Sequence, residues 1–407
     1  MKLSKKLIPC LLSVLIMSSC GPSEPMAEKT SETTKASTIK KVEFTSETTE
    51  RETKTETSAP ILEEEEKLPV FSDLEELVAY MREQYKSGIT EITVGLNGGF
   101  KPSLKELVYY VNLPLLNAET HHYSDEYTEV VYTTELYPGM KIVSAYKSGD
   151  TSALSEEELK VYEMASEIVE KAKKFPTEIE AELFIHDEIC RATDYYDGIE
   201  KERLSRYCTS VGVFIDGKAN CQGYADAFSM LCEMYGFNTD KLTGIAAGID
   251  HVWNLIELDG EWYSVDVCWD DNVFSTAEKD YIQYYYFNAP TEIMRGDHVW
   301  NDMAAAYPLK KKLDENYYYF LFATDETPFG HKTDSLKEAV WYCADGLIEK
   351  RAETFVMAPY DAAFDTADEL CAEINRYITE KAIPRHITYN VYVKNISDYT
   401  FLYVELT

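Results

Sequence analysis

The amino-acid sequence predicts an α+β protein with three folded blocks, at residues 68–150, 155–307 and 317–407. Two observations support this class. Stretches with apolar residues at helical spacing alternate with short runs in which every second residue is apolar, as in strands. The middle block also places Asp259-Gly260 between two such runs, which is a strong signal for a β-hairpin turn. Helices and strands mixed in this irregular order are typical of α+β domains.

The first 21 residues are expected to be an export leader rather than part of the fold. Lys2, Lys5 and Lys6 precede an apolar run at 7–17, which is shorter than the about 20 residues that span a bilayer. The run ends in Met-Ser-Ser-Cys-Gly, which resembles a bacterial lipobox with Cys20 as the lipidated residue. We therefore expect an exported chain, held at the outer face of a bacterial cell membrane by its lipid alone. The alternative is an ordinary signal peptide with an incidental cysteine.

Residues 22–67 are rich in Ser, Thr and Glu and almost free of aromatic residues. Such a segment buries too little apolar surface to offset its ordering entropy, so we expect a disordered stalk. The whole chain has 39 basic and 72 acidic residues and a formal charge of −33. This charge argues against nucleic acid as a partner, because proteins bind nucleic acid with basic side chains that neutralise phosphates.

The first and last blocks share one order of predicted elements, αβαββ. In the first block, with Ser72 as the first N-cap, we expect helices at 74–85 and 103–111 and strands at 89–96, 129–136 and 140–145. In the last block, we expect helices at 335–350 and 366–381 and strands at 354–358, 387–393 and 399–406. The sequence therefore predicts two flanking modules related by internal duplication, which serve as packing or binding units.

The middle block is expected to carry the chemistry, beginning with a helix that starts at Cys221. Asn220 is a favoured N-cap residue, and Gly236 suits the end of the helix. Apolar residues recur between them at helical spacing: Tyr224, Phe228, Leu231 and Tyr235. The unpaired N–H groups and the dipole at a helix start favour a thiolate, the nucleophilic form of cysteine. The alternative is a buried structural cysteine.

His251 and Asp266 lie in the two arms of the predicted hairpin. If Asp259-Gly260 forms the turn, Trp253 faces Asp266 and His251 faces Cys268 across the strands. His251 and Asp266 are then diagonal neighbours on one face, with about 7–8 Å between their Cα atoms. A carboxylate on one ring nitrogen would orient the imidazole, and the other nitrogen could accept a thiol proton.

Three stretches together resemble the transglutaminase-like superfamily: residues 217–225, His251-Val-Trp-Asn, and 262–271. Residues 185–188, 285–287 and 298–300 look like flanking parts of its bacterial branch, so the resemblance covers about 155–301. It implies a papain-like α+β core, with Cys221 as nucleophile, His251 as base and Asp266 as the orienting residue. It also implies acyl transfer from an amide through a thioester, without a cofactor. Val267-Cys268 departs from the Pro-Thr of many relatives.

Less is implied about the rest of the site. The Cys221 backbone N–H is the first candidate for the oxyanion donor and Tyr207 is the second, while Gln222, Trp253 and Tyr207 are candidate groove residues. The expected partner is a protein or peptide substrate at the cell surface. Whether water or an amine accepts the acyl group stays open. The rival interpretation is a non-catalytic surface binding protein in which the two modules hold a partner.

No metal site is expected. The chain lacks a Cys-x-x-Cys pair for zinc, and Asp270-Asp271 is too short a cluster for calcium ligands. His186, within a helical pattern, and His298, without a comparable hairpin partner, are weaker candidates for a base than His251. Six cysteines could be buried thiols or disulfides, and the sequence leaves both open: Cys190, Cys208, Cys232, Cys268, Cys343 and Cys371.

Overall fold

The computed structural model describes residues 68–123, 126–196, 198, 205–271, 282–313, 317–322, 330–364, 366–381 and 387–407. Residues Leu68–Thr407 form one compact unit. The predicted leader, Cys20 and the predicted stalk lie outside the described residues. Within these ranges, no helix is both long enough and apolar enough to cross a bilayer.

The first block is a four-stranded sheet with two helices. Its elements are β1 (Val70–Phe71), α1 (Leu74–Lys86), β2 (Glu91–Asn97), α2 (Leu104–Val111), β3 (Leu116–Tyr123) and β4 (Tyr127–Thr134). The strand order is β1-β2-β4-β3, with β1 parallel to β2 and the other pairs antiparallel. Asp73 rather than the predicted Ser72 caps α1, because its carboxylate accepts the N–H groups of Glu75 and Glu76.

One predicted strand of this block is wrong. Residues 140–145 lie in a helix, α3 (Pro138–Ser148), and the strand that pairs with β4 at that edge is β3 instead. Pro138 occupies the first turn, where a fixed φ and a missing N–H cost nothing. Ile142 and Val143 are buried where α3 packs against the helix that begins at Cys221. A short apolar run fits either period, and here packing against the central block selected the helix.

The central block combines helices with an antiparallel sheet, which confirms the α+β class. Its helices are α4 (Glu156–Ala172), α5 (Glu178–Ala192), α6 (Cys221–Tyr235), α7 (Val267–Asp270) and α8 (Thr291–Met294). Its strands are β5 (Asp194–Tyr195), β6 (Lys218–Ala219), β7 (Asn238–Ala246), β8 (Ile249–Leu258), β9 (Glu261–Val265) and β10 (His298–Val299). The sheet order is β10-β7-β8-β9, and α6 packs on β8. Ser155 and Thr177 cap α4 and α5.

The last block repeats the topology of the first. Its elements are α9 (Tyr319–Phe322), β11 (Gly330–Lys332), α10 (Leu336–Glu349), β12 (Glu353–Pro359), α11 (Ala367–Glu380), β13 (Tyr389–Ile396) and β14 (Tyr399–Leu406). The strand order is β11-β12-β14-β13, with β11 parallel to β12 and the other pairs antiparallel. Each block therefore has the order βαβαββ in its sheet, with the same pairing. An internal duplication would produce this correspondence.

Candidate active site

Cys221 is the first residue of α6, as predicted, and its position is fixed by Asn220. The Asn220 Oδ1 atom accepts the backbone N–H of Gln222 at 3.1 Å and that of Gly223 at 3.3 Å. Its Nδ2 donates to Cys208 Sγ at 2.9 Å, so both ends of the amide are held. The cap therefore orients the first turn of the helix and with it the partly exposed Cys221 thiol.

Gly223 lets another segment approach this first turn closely. A Cβ at Gly223 would lie 2.7 Å from the Tyr207 carbonyl oxygen and 2.8 Å from Ala219 Cβ. The same Tyr207 carbonyl accepts the backbone N–H of Asn220 at 2.8 Å. The segment around Tyr207 thus packs directly on the start of α6, and a side chain at Gly223 would displace the first turn that carries Cys221.

The hairpin has the predicted register from its turn to Asn254–Val265, but the predicted pairs Trp253–Asp266 and His251–Cys268 do not form, because a helix capped by Asp266 begins there. Leu258 pairs with Glu261 and Asn254 with Val265, around a turn in which Asp259 and Gly260 have φ values of 51° and 80°. Positive φ at both central residues is the type I′ geometry that Asp-Gly favours. The ladder ends at Asn254–Val265, and Asp266, which directly follows β9, reaches His251 from the N-cap position of α7.

His251 and Asp266 make direct contact. The distance between His251 Nε2 and Asp266 Oδ2 is 2.6 Å, which leaves Nδ1 as the ring nitrogen free for Cys221. The other Asp266 oxygen, Oδ1, accepts the backbone N–H of Trp269 at 3.1 Å and caps α7. Asp266 is 1% exposed and His251 6%. The carboxylate is therefore held by several donors in a dry environment, where charge-assisted hydrogen bonds are strongest.

The electrostatics of these groups favour an ion pair. Burial would raise the pKa of the Asp266 carboxyl, but the nearby imidazoles of His251 and His298 hold that pKa well below its usual range. Burial would lower the pKa of His251, yet Asp266 and Cys221 raise it to about 10. Burial would raise the pKa of Cys221, but hydrogen bonds from His251 and the Val252 backbone N–H bring it below its usual value. The site therefore favours the thiolate of Cys221 and the imidazolium of His251 over their neutral forms.

His298 is a site residue that the sequence reasoning set aside. It lies on β10, at the edge of the sheet, and its Nε2 is 3.1 Å from Asp266 Oδ2, the same oxygen that contacts His251. Its side chain is fully buried. The available signal was the recurrence of His-Val-Trp at residues 251–253 and 298–300, whose two tryptophan rings meet edge to face at 5.8 Å.

The two imidazoles and Asp266 offer ligand atoms within 4.8 Å of one another, a spacing that a metal ion could use. However, the Nε2 atoms of His251 and His298 lie 2.6 and 3.1 Å from one Asp266 oxygen. Hydrogen bonds to a carboxylate require N–H donors, whereas a metal would require the nitrogen lone pairs. The contacts therefore describe a hydrogen-bonded carboxylate with two imidazole donors.

The remaining candidate groove residues are placed differently from one another. Gln222 is 5% exposed and its Nε2 has no acceptor among the described residues. Tyr207 is partly exposed, and its ring stacks on Tyr196 at 4.0 Å between centroids. Trp253 is 1% exposed and packs edge to face against His298 at 5.0 Å, so it supports the histidines from behind instead of lining a groove.

The cysteines whose state the sequence left open are thiols and not disulfides, like Cys221. Within the described part of the chain, none of the seven cysteines forms a disulfide. Burial raises the pKa of five of them above the ordinary value: Cys190, Cys232, Cys268, Cys343 and Cys371. Cys221 is thus distinguished from these five by a lowered pKa.

The part of the chain that carries this site is similar to known proteins. The family model of the transglutaminase-like superfamily matches residues 163–267, a range that includes Cys221, His251 and Asp266. The kyphoscoliosis peptidases of Mus musculus and Homo sapiens are each 23% identical over 216 residues, which are 48% of this chain and 32% of theirs. This chain therefore spans about a third of the length of the curated relatives it matches.

Two solved structures are also similar to this chain. The crystal structure of a TGase is 14% identical, with a TM-score of 0.26, over 52% of this chain and 60% of that one. Calcium-bound LapG of Legionella pneumophila is 14% identical, with a TM-score of 0.25, over 44% of this chain and 97% of that one. The family assignment rests on the family model and the relatives. The central domain belongs to the transglutaminase-like superfamily.

Proposed function

We propose that the central domain is a thiol enzyme that attacks protein or peptide amides and forms a thioester on Cys221. The observation that carries this proposal is the order of contacts from Cys221 through His251 to Asp266, with the thiol at the start of a helix. Each group has the environment that its role requires. The thiol pKa is lowered, the imidazole pKa is raised to about 10, and the carboxylate is kept ionised.

In the proposed reaction, the Cys221 thiolate adds to the carbonyl carbon of the amide. The His251 imidazolium then gives its Nδ1 proton to the amide nitrogen, the carbon–nitrogen bond breaks, and an amine leaves behind a thioester. Water or a second amine attacks the thioester carbon while neutral His251 takes the proton of that acceptor. The thiolate leaves and restores the starting ion pair, with Asp266 stabilising the imidazolium throughout.

The oxyanion that forms during both additions needs donors near Cys221 Sγ. Among the described residues, the backbone N–H of Cys221 has no acceptor, because the Asn220 side chain takes the next two N–H groups of α6. The Nε2 of Gln222, the next residue, is also without an acceptor in the described ranges. Both donors belong to the first two residues of α6, which suits this role, and the buried Gln222 amide would otherwise stay unpaired at a cost in stability.

We further propose that the enzyme works outside the cell, tethered through Cys20, with residues 22–67 as a spacer. The apolar run at 7–17 and the lipobox-like Met-Ser-Ser-Cys-Gly support this location. Its substrates would then be proteins or peptides at the cell surface. Radiolabelled palmitate should be incorporated into the natural chain but not into Cys20→Ala, and equal labelling of both would contradict the anchor.

The activity can be tested with a glutamine-containing protein and a labelled primary amine, followed by mass spectrometry of Cys221 after acid quench. We expect a Cys221 thioester and ammonia release, and both should be absent in Cys221→Ala. Cys371→Ala removes another partly exposed thiol and should behave like the natural chain. Amine incorporation would identify a cross-linker, and ammonia release alone a hydrolase. Equal acyl labelling of Cys221→Ala and the natural chain would contradict the proposal, and the binding-protein alternative would then be preferred.

A further inference from the structure

His298 is enclosed between two carboxylates. Its Nε2 lies 3.1 Å from Asp266 Oδ2, and its Nδ1 lies 2.7 Å from Asp297 Oδ1. An ionised carboxylate offers only acceptors, so both ring nitrogens must carry a hydrogen to satisfy both contacts. The geometry of the two contacts therefore describes a buried imidazolium, with one carboxylate on each side.

The groups around this imidazolium come from four separate parts of the fold. The His251 ring centre is 5.7 Å away, and the rings of Trp269, Tyr286 and Trp253 close the remaining sides at 4.7, 5.0 and 5.0 Å. These aromatic rings exclude water and hold the plane of the imidazole. The ring therefore has little freedom to turn away from Asp266.

The outer carboxylate is held in its turn by the last block. The Tyr286 hydroxyl donates to Asp297 Oδ2. On β13, the Lys394 ammonium donates to the Tyr286 hydroxyl at 2.6 Å and lies 4.0 Å from Asp297 Oδ2. Continuous contacts thus lead from Lys394 through Asp297 and His298 to Asp266.

We propose that His298 is a positioning residue of the active site: an imidazolium between Asp297 and Asp266 that fixes the Asp266 carboxylate and shares its charge with His251. This inference rests on the function proposed above for Cys221 and His251. Without His298, the Asp266 Oδ2 atom would have His251 as its one charged donor, and the full carboxylate charge would act on that ring. With His298 present, two imidazolium rings share one carboxylate oxygen and partly repel each other, so the charge of Asp266 stabilises His251 less.

The proposed role sets how readily His251 releases its proton. A cation at 5.7 Å disfavours the His251 imidazolium and favours the nearby thiolate. Loss of the His298 charge should therefore raise the pKa of His251, and it should raise the pKa of Cys221 by less because the thiol is farther away. A partly screened charge at this distance corresponds to a shift of about one pKa unit at His251.

The test is the pH dependence of Cys221 alkylation by iodoacetamide between pH 4 and 10, read at the Cys221 peptide by mass spectrometry. In His298→Gln, the amide can still donate to Asp266 but carries no charge. The pH profile should have two limbs: a low-pH limb that reports the ionisation of Cys221 and a high-pH limb that reports the loss of the His251 proton. In His298→Gln, we expect the high-pH limb to move up by about one pH unit and the low-pH limb to move up by less. A merely structural role would lower the melting temperature and leave both limbs in place, and that result would overturn the proposal.

Two further variants separate the electrostatic role from general damage. His186→Gln is the matched control, because His186 is also fully buried and lies between the carboxylates of Asp187 and Asp270 at 3.2 and 3.3 Å. It should lose similar stability without moving the limbs. Asp297→Asn keeps the His298 ring in place but removes the negative charge beside its Nδ1. It should shift the limbs in the same direction by a smaller amount. Asp297→Asn also provides the test of the proposal if His298→Gln does not fold.

The outcomes also distinguish this inference from the proposed function. If the natural chain shows a single limb near pH 9, then Cys221 has no imidazolium partner and the proposed function itself fails. If the natural chain shows both limbs and neither His298→Gln nor Asp297→Asn moves them, the function stands and the positioning role is refuted.

Discussion

The contact between Asp266 and His251 makes Asp266→Asn the most informative single substitution. The pKa of His251 is raised from 6.5 to about 10 against the effect of burial, and Asp266 is the largest favourable cause. This rise corresponds to roughly 5 kcal/mol of preference for the imidazolium. An asparagine removes the charge but keeps the shape. Burial should then bring the pKa of His251 below 6.5 and return the pKa of Cys221 to its ordinary 9.0 or above.

The loss can be measured without knowing the substrate. At pH 7, a thiol with a pKa of 9 is about 1% ionised, so alkylation of Cys221 by iodoacetamide should slow in proportion to the thiolate that is lost, by up to about 100-fold. Asp250→Asn is the matched control, since it removes one exposed carboxylate from the same strand next to His251 and should leave the rate unchanged. The reasoning is refuted if folded Asp266→Asn keeps the fast reaction at pH 7.

Three other substitutions test separate parts of the structure. Gly223→Ala places a Cβ 2.7 Å from a backbone oxygen and should cost about 1–3 kcal/mol in urea unfolding, while Gly98→Ala, with open space around it, should not. Burial raises the pKa of Glu182 to about 8, so the natural chain loses stability as pH rises from 4.5 toward 8. Glu182→Gln should be more stable by an amount that grows over that range to at most roughly 5 kcal/mol, and equal gains at pH 4 and pH 8 would contradict this. Lys394→Met removes the donor to Tyr286 and should move the alkylation limbs by less than Asp297→Asn does, whereas a larger shift would refute the proposed order of contacts.

The nucleophile and its histidine could be located from the sequence because the signals there are local. Asn220 and Gly236 mark the ends of α6 within the chain itself, and a two-residue turn determines every cross-strand pair of the following hairpin. Counting along that register brings Asp266 near His251, but the contact itself is made after the ladder has ended, where Asp266 caps α7. Short-range geometry of this kind depends little on the rest of the fold.

Other features were decided by contacts between segments far apart in sequence. Residues 140–145 have an apolar pattern that fits a strand or a helix, and packing against α6 selected the helix. His298 is 32 residues from Asp266, on a short strand that pairs with β7, and no local pattern states which carboxylate it will meet. The sequence by itself thus placed Cys221 at the start of a helix and His251 on one arm of a hairpin. Only tertiary structure brought a second imidazole to Asp266, because that contact requires four chain segments to converge in one buried volume.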